Sequence, residues 1–244
     1  MTEQAVQPGG LGEVGRLVGV FWEPKPVFED LAARPRWWAP LILLTVLSLV
    51  FVVTLSRVVG WDTAIRQQIE STPRVAQMPA EQRERAMQAM ARFASVFGYA
   101  GAASGIAIST LVIAAVLLGV FNLVGGANLK YRQAFSLTCY AFLPKGLSTI
   151  LALVVMLLKN PADFDLQNPL PLNLGAFFDP ATTARWLQAL AGSIDLFSFW
   201  VILLLALGFS IAARRMEFGK SLLLVLLPWS VVVILKCGWA AAFG

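Results

Sequence analysis

The sequence predicts an all-α integral membrane protein, a bundle of five transmembrane helices preceded by amphipathic helices at the membrane surface. Hydrophobic residues make up 58% of the 244 residues and charged residues only 14%, a composition too apolar for an ordinary soluble domain. Uncharged runs of about 20 residues, the length a helix needs to cross a bilayer, recur along the chain. Basic residues are scattered around these runs, which is typical of membrane orientation signals and not of nucleic-acid binding.

The N-terminal segment, residues 1–36, differs in composition from the membrane domain predicted over residues 37–244. Its apolar residues fall on roughly one helical face: Leu11, Val14, Leu17, Val18 and Phe21. This pattern predicts an amphipathic helix along the membrane surface, with Trp37 and Trp38 at the level of the lipid headgroups. A generic juxtamembrane helix is favoured over a helix dedicated to a partner protein.

Five segments are predicted to cross the membrane. Their approximate bounds are 37–56, 102–129, 134–158, 194–213 and 221–242. The helix of the second span is expected to start at Pro79 and to reach about 75 Å, so it should extend beyond the bilayer. Lys145 and Lys236 interrupt the third and fifth spans. Pro144 and Pro228 remove backbone hydrogen bonds in the same two spans, so local unwinding is expected near Lys145.

The positions of Lys and Arg favour a cytoplasmic N-terminus and an extracytoplasmic C-terminus. The total numbers of basic residues on the two sides of the membrane are nearly equal, so the short loops decide the orientation. On the N-terminal side, five basic residues directly adjoin span ends: Lys130, Arg132, Arg214, Arg215 and Lys220.

Three charged residues fall inside the predicted spans, namely Lys145, Asp195 and Lys236. A charge at this depth is costly, so each is a candidate functional residue with a partner to be found. Counted along the helices, Asp195 and Lys236 have matching depths, which favours an ion pair between them, while Lys145 is deeper. The first interpretation is a structural pair that holds two spans together. The other is a site for a substrate, a proton, an ion or a lipid phosphate.

Two glycines of the second span, Gly101 and Gly105, form a GxxxG pattern that permits close helix approach. Packing within the chain is favoured over dimerisation as their use.

Few residues of the sequence support a catalytic function. Histidine is absent, which excludes mechanisms that need an imidazole base and zinc sites with His ligands. Cys139 and Cys237 lie in apolar runs without CxxC spacing and are interpreted as buried thiols. Asp195 alone cannot form the carboxylate pair of an aspartyl protease. We therefore expect no enzyme, no cofactor and no bound metal.

Three stretches appear in a recognisable order around the spans: EPKPVFEDL (23–31), KYRQAFSLTCYAFLP (130–144) and DLFSFW (195–200). In this order the chain resembles the Yip domain family, named after Ypt-interacting proteins, from about residue 12 to the C-terminus. The resemblance implies five spans and a cytoplasmic N-terminus. It also places four residues on the family pattern without giving them a family role: Tyr140, Pro144, Asp195 and Trp200. We count Tyr140 with the candidate polar site of Lys145, Asp195 and Lys236, and Pro144 and Trp200 with Gly101 and Gly105 as candidates for helix packing.

The chain departs from eukaryotic members, which carry a long cytoplasmic region with a DLYGP-type motif and bind Rab-type GTPases. Rab binding is therefore not carried over, and the composition resembles a bacterial inner-membrane member. The leading hypothesis is a non-enzymatic scaffold or adaptor that organises lipids of the bilayer, partner proteins or further copies of itself. The alternative is a small transporter, channel or lipid-handling protein in which Lys145, Asp195 and Lys236 line a polar site.

Overall fold

The computed structural model describes residues 10–70, 80–166, 168–179, 182–214 and 216–243. The prediction of an all-α fold is confirmed, because these ranges contain one isolated β-bridge, between Asn173 and Asp195, and no strand. The α-helices of these ranges are α1 (Glu13–Trp22), α2 (Pro24–Ala33), α3 (Trp38–Val58), α4 (Trp61–Glu70), α5 (Ala80–Gly119), α6 (Tyr131–Ala141), α7 (Leu143–Leu158), α8 (Arg185–Ser193), α9 (Leu196–Ala212) and α10 (Phe218–Phe243).

In the described part of the chain, four helical segments are long and apolar enough to cross a membrane. They are Trp38–Val58, Phe93–Val124, Tyr131–Leu158 and Phe218–Ala242. The fourth predicted span corresponds to α9, a shorter apolar helix of 17 residues, which is about 25 Å long. The chain is a multi-pass membrane protein.

The third span is broken into two helices at the position where Pro144 predicts a break. Helix α6 ends at Ala141 and α7 begins at Leu143, with Pro144 in its first turn. The amide of Lys145 donates to the carbonyl of Phe142 at 2.9 Å, and the break places Lys145 in the first turn of α7. Pro228 differs, because α10 continues through it.

Helix α5 is 40 residues long, about 60 Å, and so extends beyond the bilayer as expected. Its predicted first residue, Pro79, lies outside the described residues, and a π-helical turn, Val120–Val124, follows its end. Helix α4 packs against α5. The ring of Trp61 lies where a side chain at Gly98 would stand, so the glycine allows this contact.

Helices α1 and α2 pack into the main hydrophobic core together with α6 and α9. Val20, Val27, Phe28 and Leu31 are at most 2% exposed. Gly208 of α9 permits the approach of α2, because a Cβ at this position would lie 2.9 Å from Cδ1 of Phe28. The N-terminal helices thus share one core with the apolar helices of the bundle.

Candidate functional site

One candidate site is a charged cluster at the start of α7 and α9. Asp195 caps the N-terminus of α9, where one carboxylate oxygen, Oδ1, accepts a hydrogen bond from the amide of Ser198 at 2.9 Å. The same oxygen forms an ion pair with Nζ of Lys145 at 3.3 Å. The hydroxyl of Ser198 donates to the other oxygen, Oδ2, and accepts a hydrogen bond from Lys145 at 3.0 Å. The three side chains therefore form a closed hydrogen-bonded cluster.

Backbone structure holds this cluster in place from two sides. The break at Phe142 sets Lys145 at the beginning of α7, which packs against α9. On the other side, a short antiparallel contact flanks Asp195, in which Leu174 donates to the carbonyl of Ile194 at 3.1 Å and Leu196 donates to that of Leu172 at 3.2 Å. The loop before α8 is thereby fixed against the first turn of α9.

The predicted ion pair between Asp195 and Lys236 is wrong, because Lys145 takes that place. Nζ of Lys236 instead donates to the hydroxyl of Ser193 at 3.3 Å. Ser193 ends α8, which packs along α10. Depth along a helix was the basis of the prediction, but depth does not set the rotation of a side chain about the helix axis. In the structure, Lys236 faces α8 and Lys145 faces α9.

A second cluster of charges joins the N-terminal helices to the third span. Arg16 is only 3% exposed, and its guanidinium contacts Oδ2 of Asp30 through Nε at 2.6 Å and through Nη2 at 2.5 Å. Glu13 accepts hydrogen bonds from Arg16 at 3.3 Å and from Arg36 at 3.0 Å. Tyr140, which is fully buried, donates its hydroxyl to Oε2 of Glu13 at 3.0 Å. We call these five residues the N-terminal cluster.

Backbone groups strengthen the same connection. The side chain of Gln133 donates to the carbonyl of Ala32 at 2.9 Å. The hydroxyl of Ser136 donates to the carbonyl of Arg36 at 2.5 Å and accepts from its amide at 3.0 Å. The segment that leads from α2 into α3 is therefore fixed against α6 by three hydrogen bonds outside the charged cluster.

Sequence reasoning found Tyr140 but missed the rest of the N-terminal cluster. The segment that holds Glu13, Arg16 and Asp30 is mixed in polarity, so its charges gave no sign of burial. One signal was available. Arg16 lies four residues before Val20 and therefore on the same face of a helix, so docking of that face on a protein core would bury the arginine and require a carboxylate partner.

The remaining predicted residues, Trp200 and the two glycines of α5, have different structural surroundings. Trp200 packs edge-on against Phe21, with ring centroids 5.7 Å apart. In the described structure, no atom lies within 4 Å of a Cβ built at Gly101 or Gly105, apart from their own helix and chain neighbours. Among the described residues, this glycine pair does not mediate the predicted packing within the chain. Ala102, which is 4% exposed, turns inward between them.

A family model described as the Yip1 domain matches residues 18–240, which is most of the chain. The match includes the cluster of Lys145, Asp195 and Ser198, whereas Glu13 and Arg16 of the N-terminal cluster precede it. The chain belongs to the Yip1 domain family. A bacterial relative, "Membrane protein YknW" of Bacillus subtilis (strain 168), is 26% identical over 201 residues, which cover 82% of this chain and 79% of that protein. No solved structure matches the chain.

Within this Yip1-family chain, two of the residues on the family pattern belong to the charged clusters, one to each, and the other two lie outside them. Asp195 belongs to the cluster with Lys145, and Pro144 positions that lysine. Tyr140 belongs to the N-terminal cluster, and Trp200 contacts α1 through Phe21. Each of the four thus contributes to a contact between separate helices or sets the position of a residue that does.

Proposed function

We propose that this Yip1-family protein is a non-enzymatic membrane scaffold, an adaptor that organises lipids or partner proteins and has its N-terminus in the cytoplasm. The observation that carries the proposal is the N-terminal cluster, in which the ion pair of Arg16 and Asp30 joins α1 to α2 and the hydrogen bond from Tyr140 to Glu13 joins α1 to α6. A surface that is already ordered loses little conformational entropy when a partner binds. The basic residues of the short loops support the orientation.

The first test is purification of the protein in nanodiscs directly from the native membrane, followed by mass spectrometry of all bound molecules. The wild type is compared with Asp195→Asn. We expect a protein partner at a stoichiometric ratio in both samples, because the adaptor surface does not depend on the charge of Asp195. Solute transport by the purified protein in proteoliposomes, abolished by Asp195→Asn, would contradict the scaffold proposal.

Two matched variants test whether the partner protein binds the exposed apolar face of α1. Val18 and Trp22 are 52% and 81% exposed on α1, so Val18→Ser with Trp22→Ser should leave the fold intact. The control is Leu223→Ser on α10, where the leucine is 68% exposed. We expect the partner to be lost from the α1 variant and kept by the α10 variant. If both variants retain the partner equally, it binds a surface other than this face of α1.

A second candidate function, transport or lipid handling, is favoured by one observation. The ion pair of Lys145 and Asp195 lies beside the helix break in the third span, and 39% of the Lys145 side chain is exposed. Broken helices next to charged side chains are typical of transporter binding sites. This candidate predicts solute or lipid movement in proteoliposomes that is lost in both Asp195→Asn and Lys145→Met.

A further inference from the structure

A surface cavity of about 330 Å³ lies at the beginning of α1. It is lined by Gly10, Leu11, Gly12, Glu13, Arg16, Arg34 and Arg36. Three of these seven residues are arginines. Arg16 is buried, whereas Arg34 and Arg36 are 57% and 56% exposed, so the cavity has a buried cationic wall and two accessible cationic side chains.

The charges around this cavity do not cancel. Three arginines face two carboxylates, Glu13 and Asp30, which leaves an excess of one positive charge. A guanidinium carries five N–H donors. In the described contacts, Arg34 reaches Asp30 through Nη2 and Arg36 reaches Glu13 through Nη1, so other donors of both side chains remain for an anion. Arginine also fits two phosphate oxygens at once.

The cavity lies at the depth of the lipid headgroups. Arg36 stands two residues before α3, a helix long and apolar enough to cross the membrane. Trp37 and Trp38 follow it and are 40% and 47% exposed. Tryptophans at the end of a span mark the interface between the hydrocarbon region and water. An anion at Arg36 is therefore at the level of lipid phosphates.

An apolar surface adjoins the cavity. Leu11 lines the cavity and is 40% exposed, and the same face of α1 continues through Val14, Val18 and Trp22, which are 74%, 52% and 81% exposed. Their spacing of three and four residues forms one stripe along the helix. A cationic cavity next to such a stripe complements a molecule with an anionic head and apolar chains.

We propose that this cavity binds the phosphate of an anionic phospholipid, with Arg34 and Arg36 as its ligands and the lipid chains along the apolar face of α1. The inference goes beyond the proposed scaffold function and does not depend on it, because lipid binding is measured on the purified chain with no protein partner present. Its test uses lipid binding alone, so failure of either proposal leaves the other standing.

The experiment is native mass spectrometry of the full chain in detergent, titrated with phosphatidylglycerol, phosphatidylcholine or inorganic phosphate. The test variant is Arg34→Gln with Arg36→Gln. We expect its affinity for phosphatidylglycerol to fall about 30-fold, which corresponds to about 1 kcal/mol for each arginine. The matched control is Arg57→Gln, because Arg57 is an exposed arginine at the other end of α3. Its affinity should equal that of the wild type.

Thermal unfolding of each variant shows whether it is folded. If the double variant does not fold, Arg34→Gln alone replaces it, with an expected loss of about fivefold. Equal affinities for phosphatidylglycerol in the test and control variants would overturn the proposal. Equal affinities of the wild type for phosphatidylglycerol and phosphatidylcholine would also overturn the proposal. A third contradicting result is binding of inorganic phosphate that phosphatidylglycerol does not displace.

Discussion

The two charged clusters of this protein differ in burial and in how they are assembled. Lys145 is 39% exposed and Asp195 21% exposed, and their contacts with Ser198 lie at the first turns of two neighbouring helices. In the N-terminal cluster, Arg16 is 3% exposed and Asp30 9% exposed. That cluster connects residues as far apart in the chain as Glu13 and Tyr140, which are separated by 127 positions.

The difference shows that a charge within an apolar run is not always the most deeply buried charge of a membrane protein. Lys145 stands at a helix break, and its side chain stays partly exposed. Arg16 lies in a segment of mixed polarity, yet packing of α1 and α2 on α6 and α9 removes it from solvent. A buried charge needs a partner, and the carboxylate of Asp30 is the group that stabilises it.

The largest expected effect is in the N-terminal cluster. Arg16→Met should lower the free energy of unfolding by about 3 kcal/mol, because it leaves the nearly buried Asp30 without its main partner. Denaturant-induced unfolding in detergent measures the change. Arg34→Gln is the control, since that exposed arginine should contribute less than about 1 kcal/mol. Equal effects of the two substitutions would show that burial does not distinguish these arginines.

The packing of α2 on α9 gives the next effect. Gly208→Ala should destabilise the protein by about 1–3 kcal/mol, because the added Cβ would meet the fully buried ring of Phe28. Gly105→Ala is the matched control, since its Cβ would enter open space. Thermal unfolding of both variants tests this. A destabilised Gly105→Ala would indicate that the second glycine position is covered by a partner or by a second copy.

The cluster at α9 should respond less strongly. Asp195→Asn removes the charge but retains a side chain that can cap a helix, so we expect a loss of about 1–2 kcal/mol. Asp195→Ala should cost about 1 kcal/mol more, because the cap is lost as well. Adding Lys145→Met to Asp195→Asn should recover part of the stability. A double-mutant cycle measures this coupling, and strictly additive losses would contradict the ion pair.

The smallest effect is expected at Lys236. Lys236→Met should change the free energy of unfolding by less than about 0.5 kcal/mol, since the lysine is exposed and hydrogen-bonds only to Ser193 among its described contacts. Combined with Asp195→Asn, it should show no coupling in a double-mutant cycle. Strong coupling between the two substitutions would show that Asp195 and Lys236 interact, as the sequence predicted.

The sequence predicted the fold to the extent that apolar runs and prolines determine it. Apolar runs predict the four long segments and α9, because the polar groups of a backbone that crosses a bilayer must be hydrogen-bonded within the protein, as they are in a helix. Pro144 predicts the break between α6 and α7, because its ring cannot continue the hydrogen bonding of a helix. Pro228 shows the limit of this rule, since the packed helix α10 tolerates it.

The candidate site could be predicted only in part. Lys145 and Asp195 were found because a charge in an apolar run is conspicuous, but their pairing depended on how α7 and α9 are rotated against each other. The contribution of Ser198 was missed for the same reason. Glu13, Arg16 and Asp30 were missed because an amphipathic helix has the same sequence pattern whether it lies on a membrane or docks on a protein core.

The sequence alone determined that this is an all-α, multi-pass membrane protein, because hydrophobicity and length act locally along each helix. The tertiary structure alone decided which charges meet. Ion pairs depend on distances of a few ångströms between residues remote in sequence, and those distances follow from helix rotation, from the break at Phe142 and from close approach at Gly208. The N-terminal helices are part of the core because Phe28 and Leu31 pack against its apolar side chains.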